Sequence, residues 1–217
     1  MTTGHDVFVL SPASTEGRRA QFLIQDDTTN DIADALRGPA GASLGDVFTF
    51  MSQLYFRGKR SYAEHFANPP AGTSGVLVIV PGYGLLDVNT RIAVADLRAI
   101  ACVDVDRRQP RFRNPFVRDV KRLDRRLTAS DRVVFLGSVA TDKYLDILSD
   151  GLGERLFVPE SFAGRGSMSR GALLLRCVAA DAPLSYLQVS RDALTRQTVF
   201  DASSASCESS RRSGLAP

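Results

Sequence analysis

Residues 76–80, Val-Leu-Val-Ile-Val, constrain this chain more than any other segment. Five consecutive apolar residues, four of them β-branched, stand between Gly75 and Pro81. The run is too short for a helix and is bounded by turn formers, so it reads as a strand. With no polar alternation, it must be buried on both faces, as happens in a parallel sheet covered on both sides.

Other segments fit the same frame. VFVL, residues 7–10, RVVFL, residues 132–136, and RLFV, residues 155–158, read as further buried strands, the last stopped by Pro159. A weaker strand is expected over residues 101–105. Helical patterns lie between them. Asn30 caps a helix through Ile32, Ala35 and Leu36 that Gly38 and Pro39 end. One long helical reading runs from Ser43 to Phe66, before Asn68-Pro69-Pro70. Phe116, Val117, Val120, Leu123 and Leu127 form a helical stripe, and Thr141 to Leu148 a helix with Tyr144, Leu145 and Leu148 inward.

Residues 172–178 and 184–189 read as a closing hairpin, although the first segment also fits a helix. The expected class is α/β: three layers, a largely parallel central sheet with helices on both faces, and a C-terminal β-hairpin. Residues 1–200 form one domain, and the Ser-rich residues 201–217 a disordered tail.

Composition removes several kinds of chemistry. No run of about 18 apolar residues exists, and the amino terminus lacks the basic and apolar regions of a signal peptide. Cys102, Cys177 and Cys207 are odd in number and widely spaced, as in a reducing cytoplasm. His5 and His65 are the only histidines and both read as surface residues, which disfavours a Ser-His-Asp triad or a multi-histidine metal site. No cofactor and no metal is expected, and no membrane partner. The net charge is only +3, yet residues 106–126 carry nine Arg/Lys against three Asp, a footprint suited to phosphates.

In α/β sheets, ligands sit beyond the carboxyl ends of the strands. The loop PESFAGRGSMSR, residues 159–170, falls at such an end. Gly164 and Gly166 would let backbone N–H groups approach an anion, while Arg165, Ser167, Ser169 and Arg170 would grip it. It is no phosphate-binding P-loop, because GxxxxGK[ST] occurs nowhere in the chain. In LYFRGKRSYAE, residues 54–64, Arg57, Lys59 and Arg60 stand beside Tyr55, Phe56 and Tyr62, a mixture suited to phosphate contact and base stacking, or to an amphipathic helix with core aromatics. Gly58 inside that pattern indicates close backbone contact.

The loop of residues 11–19 offers Ser11, Glu16 as an acid or base, and Arg18 and Arg19 for phosphate. Gly82, Tyr83 and Gly84 turn the chain after the apolar run. Ser138 or Thr141 caps the next helix, with Asp142 and Lys143 as site candidates.

Leu54, Tyr55, Arg57, Lys59 and Tyr62, followed by Tyr83, Gly84, Leu85, Leu86 and Asp87, resemble an uncharacterised bacterial and phage family related to YaaA-like proteins. The match spans about residues 45–100. The strand and loop order is also similar to the uracil-DNA glycosylase-like superfamily. That resemblance implies a water-activating role for residues 11–19 and a DNA contact for residues 159–170. Neither the Gly-Gln-Asp-Pro-type nor the His-Pro-Ser-type motif of that superfamily is present.

The expected function is association with nucleic acid or a nucleotide, including action on a base or an N-glycosidic bond in the manner of a DNA glycosylase. Arg57, Lys59, Arg165 and Arg170 would then hold phosphate, and Glu16 or Asp142 would orient water or stabilise a cationic sugar. The alternatives are a non-catalytic binding or regulatory module and a nucleotide-dependent transferase.

Overall fold

The computed structural model describes residues 4–25, 27, 29–139 and 142–189. The chain runs β1 (Asp6–Leu10), α1 (Arg18–Ile24), α2 (Asp31–Arg37), β2 (Ala42–Ser43), α3 (Leu44–Ser52) and α4 (Leu54–Phe66). It continues through β3 (Val76–Val80), β4 (Gly84–Asp87), β5 (Arg91–Ile92), α5 (Val94–Ala101), α6 (Pro110–Asp124) and β6 (Arg132–Leu136). Last come α7 (Asp142–Leu152), β7 (Leu156–Pro159), α8 (Ser167–Ala179) and β8 (Tyr186–Gln188).

Six strands form one sheet in the order β4-β3-β1-β6-β7-β8. Strands β3, β1, β6 and β7 are parallel, and β4 and β8 close the two edges antiparallel. Alternate residues of each strand feed opposite cores. Phe8, Leu10, Val78, Val80, Val134 and Leu136 pack with α1 to α5 and α8. Val7, Val9, Ile79, Val133 and Phe135 face the other way, onto α6 and α7. The three-layer α/β class read from the sequence is the one observed.

The chain leaves β1 for its neighbour β3 and then crosses back over β1 to β6. Successive connections therefore depart in opposite directions from β1, and their loops part between β1 and β6. Such a switch point leaves a crevice at the carboxyl ends of the two strands. Here Ser11 N–H still donates to the Leu136 carbonyl, 3.2 Å away, before the strands separate.

Several expectations are corrected. The helical reading from Ser43 to Phe66 is two helices, because Gln53 takes φ 52°, ψ −122° and breaks the ladder between α3 and α4. Residues 101–105 are the end of α5 and an irregular segment, not a strand, since Leu97 and Ile100 on the preceding turns already bury that apolar face. Leu85 and Leu86 belong to an edge strand, β4, that follows a tight turn. Residues 172–178 are the body of α8, buried through Leu174 against α4, so they form no hairpin arm. The closing strand β8 pairs with β7 instead. His5, just before β1, is anchored: its N–H donates to Asp131 Oδ1 at 3.0 Å. Thr141, Cys207 and the tail of residues 201–217 lie outside the described residues.

Candidate functional site

Helix α4 presents Tyr55, Phe56, Lys59, Tyr62 and Ala63 on one stripe, spaced i, i+1, i+4, i+7 and i+8. Lys59 therefore points inward, and it is 1 % exposed. Its Nζ donates to the Ser11 carbonyl oxygen at 2.6 Å and lies 2.8 Å from Ser11 Oγ. The rings of Tyr55 and Phe56 flank it, with centroids 4.6 and 4.9 Å away. Burial pushes the ammonium down to about 7. The cause is desolvation of the charged form, and among the described residues no ion pair with a carboxylate offsets it. Ser11 follows β1 directly, so the pair stands at the switch point.

Helix α8 comes against α4 with no side chain between them. A Cβ on Gly58 would lie 2.5 Å from the Gly171 carbonyl oxygen, and one on Gly171 2.7 Å from that of Leu54. The close approach that Gly58 indicated in the sequence is thus with Gly171. It sets Arg170 beside Tyr55. Arg170 is buried and donates through Nε (3.1 Å) and Nη2 (2.8 Å) to the Phe162 carbonyl oxygen, with its guanidinium 5.2 Å from the Phe162 ring.

Tyr55 Oη is buried and makes no hydrogen bond among the described residues. Burial raises its pKa above the ordinary phenol value, against the smaller lowering influence of Arg170. Tyr144 of α7 is close enough to feel the charge of Tyr55, although burial is the main reason its own pKa is raised. Ser161 Oγ is likewise buried without a partner among the described residues.

The structure brings together Ser11, Tyr55, Lys59 and Arg170. Arg57, two residues before Lys59, is exposed on the outer face of α4. Lys59 is not the solvent-facing phosphate contact expected of it, because the stripe that buries the aromatics buries it too. Arg60 is also engaged, with Asp46 at 2.6 Å and Glu64 at 2.8 Å.

The loop of residues 159–170 is shorter than its composition suggests. Ser167, Ser169 and Arg170 already belong to the first turn of α8, and Gly164 and Gly166 precede it in an exposed stretch. Arg165 is exposed and reaches Ser169 Oγ at 3.3 Å. Glu16 is exposed, and its backbone N–H donates to Ser14 Oγ. Ser138 is half-buried after β6. Asp142 opens α7, and its side chain lies outside the described residues.

Two open clefts flank the switch point on the same edge. One of about 550 Å³ lies beyond β3, lined by Gly82, Tyr83, Arg111, Asn114 and Arg118 among others. Arg118 donates to the Tyr83 carbonyl oxygen there and pairs with Asp119. Gly84 sits deeper, at φ 101°, where a Cβ would meet Asp119 Oδ2 and the Pro115 carbonyl oxygen. The second cleft, about 370 Å³, is lined by Val105, Asp106, Arg107, Arg108 and Lys143. Sequence reasoning singled out neither Arg111 nor Asn114 individually, nor the inward turn of Lys59. The stripe shared with Tyr55, Phe56 and Tyr62 was the signal for the latter.

No family model, no curated protein and no solved structure matches this chain. Among the described residues no helix is long and apolar enough to cross a membrane, and no cluster of His, Cys, Asp and Glu is placed to hold a metal ion.

Proposed function

We propose that this chain binds a phosphate-bearing ligand, a nucleotide or a nucleic-acid strand, along the carboxyl edge of its parallel sheet. One observation carries the reading: each of the four parallel strands opens at that end onto cationic side chains. Arg18 and Arg19 follow β1, and Arg111 and Arg118 line the cleft beyond β3. Lys143 with Arg107 and Arg108 lines the cleft beyond β6, and the exposed Arg165 follows β7. Arg18, Arg19, Arg111 and Arg165 are exposed, and none of them is in an ion pair among the described residues. Guanidinium groups grip phosphate oxygens bidentately, and a row of them along one edge suits a chain of phosphates better than a lone anion.

Cleavage of an N-glycosidic bond asks for a carboxylate within reach of the sugar. Glu16 is exposed on the loop after β1, which favours the binding reading. The test is fluorescence anisotropy with labelled single-stranded DNA and RNA and with a labelled nucleotide, over a series of salt concentrations. Affinity should fall steeply as salt rises, with log K against log salt linear and a slope near −0.7 per phosphate contact for a single strand. Arg111→Ala and Arg165→Ala should each make that slope shallower by about one contact. Weak binding that ignores salt would sink the proposal.

A further inference from the structure

We propose that Ser11 and Lys59 form a nucleophile–base pair for acyl transfer, taking an ester or activated amide carbonyl at the β1–β6 crevice. The two side chains meet at 2.8 Å between Oγ and Nζ, at the carboxyl end of a central parallel strand. Both residues are buried, Lys59 at 1 % and Ser11 at 6 % exposure, so the pair is shielded from bulk water. A lysine used only to satisfy the strand-end carbonyl would need the single bond to the Ser11 oxygen; the second contact, to the hydroxyl, goes beyond that need.

The surroundings keep the amine available as a base. Tyr55 and Phe56 of its own helix cover it with ring faces, and its polar contacts come from Ser11, directly after β1. The nearest charged group from α8, Arg170, stands against Tyr55 and is tied to Phe162. Burial alone moves its titration, down to about 7, so a neutral amine exists at physiological pH.

In the step, the Ser11 Oγ lone pair forms a bond to the carbonyl carbon as Lys59 Nζ takes the hydroxyl proton. The carbonyl electron pair moves to its oxygen. The Tyr55 hydroxyl, buried and without an acceptor among the described residues, is the donor for that oxyanion. Collapse expels the alkoxide or amide leaving group, which receives the proton from Lys59. Water, deprotonated by the same amine, then cleaves the acyl-serine and restores both groups.

This inference is independent of the phosphate-binding proposal, because its test needs no nucleotide. The full chain is incubated with an alkyl fluorophosphonate at pH 5.5 to 9, and the adduct is mapped by mass spectrometry. The expected result is one adduct, on Ser11, formed at a rate that rises through pH 7 and levels above it. Ser11→Ala should abolish it, and Lys59→Met should slow it by about 100-fold or more. Absence of a Ser11 adduct at every pH, or labelling undiminished in a folded Lys59→Met protein, would overturn the proposal. Should Lys59→Met fail to fold, Ser11→Cys keeps the lysine. Its alkylation by iodoacetamide should then show a midpoint below the roughly 8.5 of a free thiol, and a midpoint at or above that value rules the pair out.

Discussion

Gly58 of α4 and Gly171 of α8 cross with backbone against backbone, so closely that a Cβ on Gly58 would stand 2.5 Å from the Gly171 oxygen and 2.9 Å from its Cα. That crossing sets Arg170 of α8 beside Tyr55 of α4, one helical turn from Lys59. Gly58→Ala replaces helix-compatible glycine with a better helix former, yet the two helices must part to admit the methyl. Overpacking of this kind costs about 1–3 kcal/mol, more than the roughly 1 kcal/mol gained in helix propensity. Denaturant titration should show the variant destabilised. Gain of stability would mean that the helices separate freely.

Lys59 gives stability an unusual dependence on pH. Its pKa is about 7 in the folded chain and near 10.5 when unfolded, so between those values the unfolded state binds more protons. Stability from this group therefore rises as pH increases from 7 to 10, by at most about 1.4 kcal/mol per unit, and is lost as pH falls toward 7. Urea unfolding at pH 7, 8.5 and 9.5 should show the rise in the wild type. The Lys59 contribution to that rise should vanish in Lys59→Met, where no amine titrates.

Tyr62 secures the carboxyl-terminal strand. Its hydroxyl accepts from Leu184 N–H at 2.8 Å and lies 2.5 Å from the Tyr186 hydroxyl. Tyr62→Phe leaves both partners without that oxygen in a poorly hydrated place, at a cost of about 1–3 kcal/mol. Hydrogen exchange should then accelerate at Tyr186 to Gln188 before it accelerates in β1 or β6. Uniform acceleration across the sheet would show that the hydroxyl is not what holds β8.

Gln53 offers a stabilising change. At φ 52°, ψ −122° it occupies backbone space that suits glycine, between two helices that hold it there. Gln53→Gly removes the strain while adding some unfolded-chain freedom, for a net gain of about 1 kcal/mol and a higher Tm. A lower Tm would place the strain elsewhere.

The apolar runs of β1, β3 and β6 were legible because a strand buried on both faces leaves no room for polar alternation. The stripe of α6 and the Asn30 cap of α2 were equally plain, the latter because the Asn30 side chain accepts from the N–H groups of Ile32 and Ala33. Less could be read of residues 172–178. An unbroken apolar run fits a buried helix as well as a strand, and only the docking of Gly171 on α4 decides for the helix. Gln53 could not be seen as a break, since nothing in its side chain favours a positive φ.

For the loop of residues 159–170, composition announced an anion-seeking segment, and it does follow a parallel strand. Folding divided it. Arg165 remains in solvent, while Arg170 enters α8 and is drawn down to the Phe162 carbonyl beside Tyr55. Local patterning by itself determined the layers, the four parallel strands and the surplus of arginine, because each depends on the spacing of apolar and charged residues along a short stretch. Which cations face water and which are enclosed was settled only by the tertiary structure. Lys59 meets Ser11, 48 residues earlier in the chain, because the switch point and the Gly58–Gly171 crossing bring them together, and the loss of water around the amine is a property of that assembly.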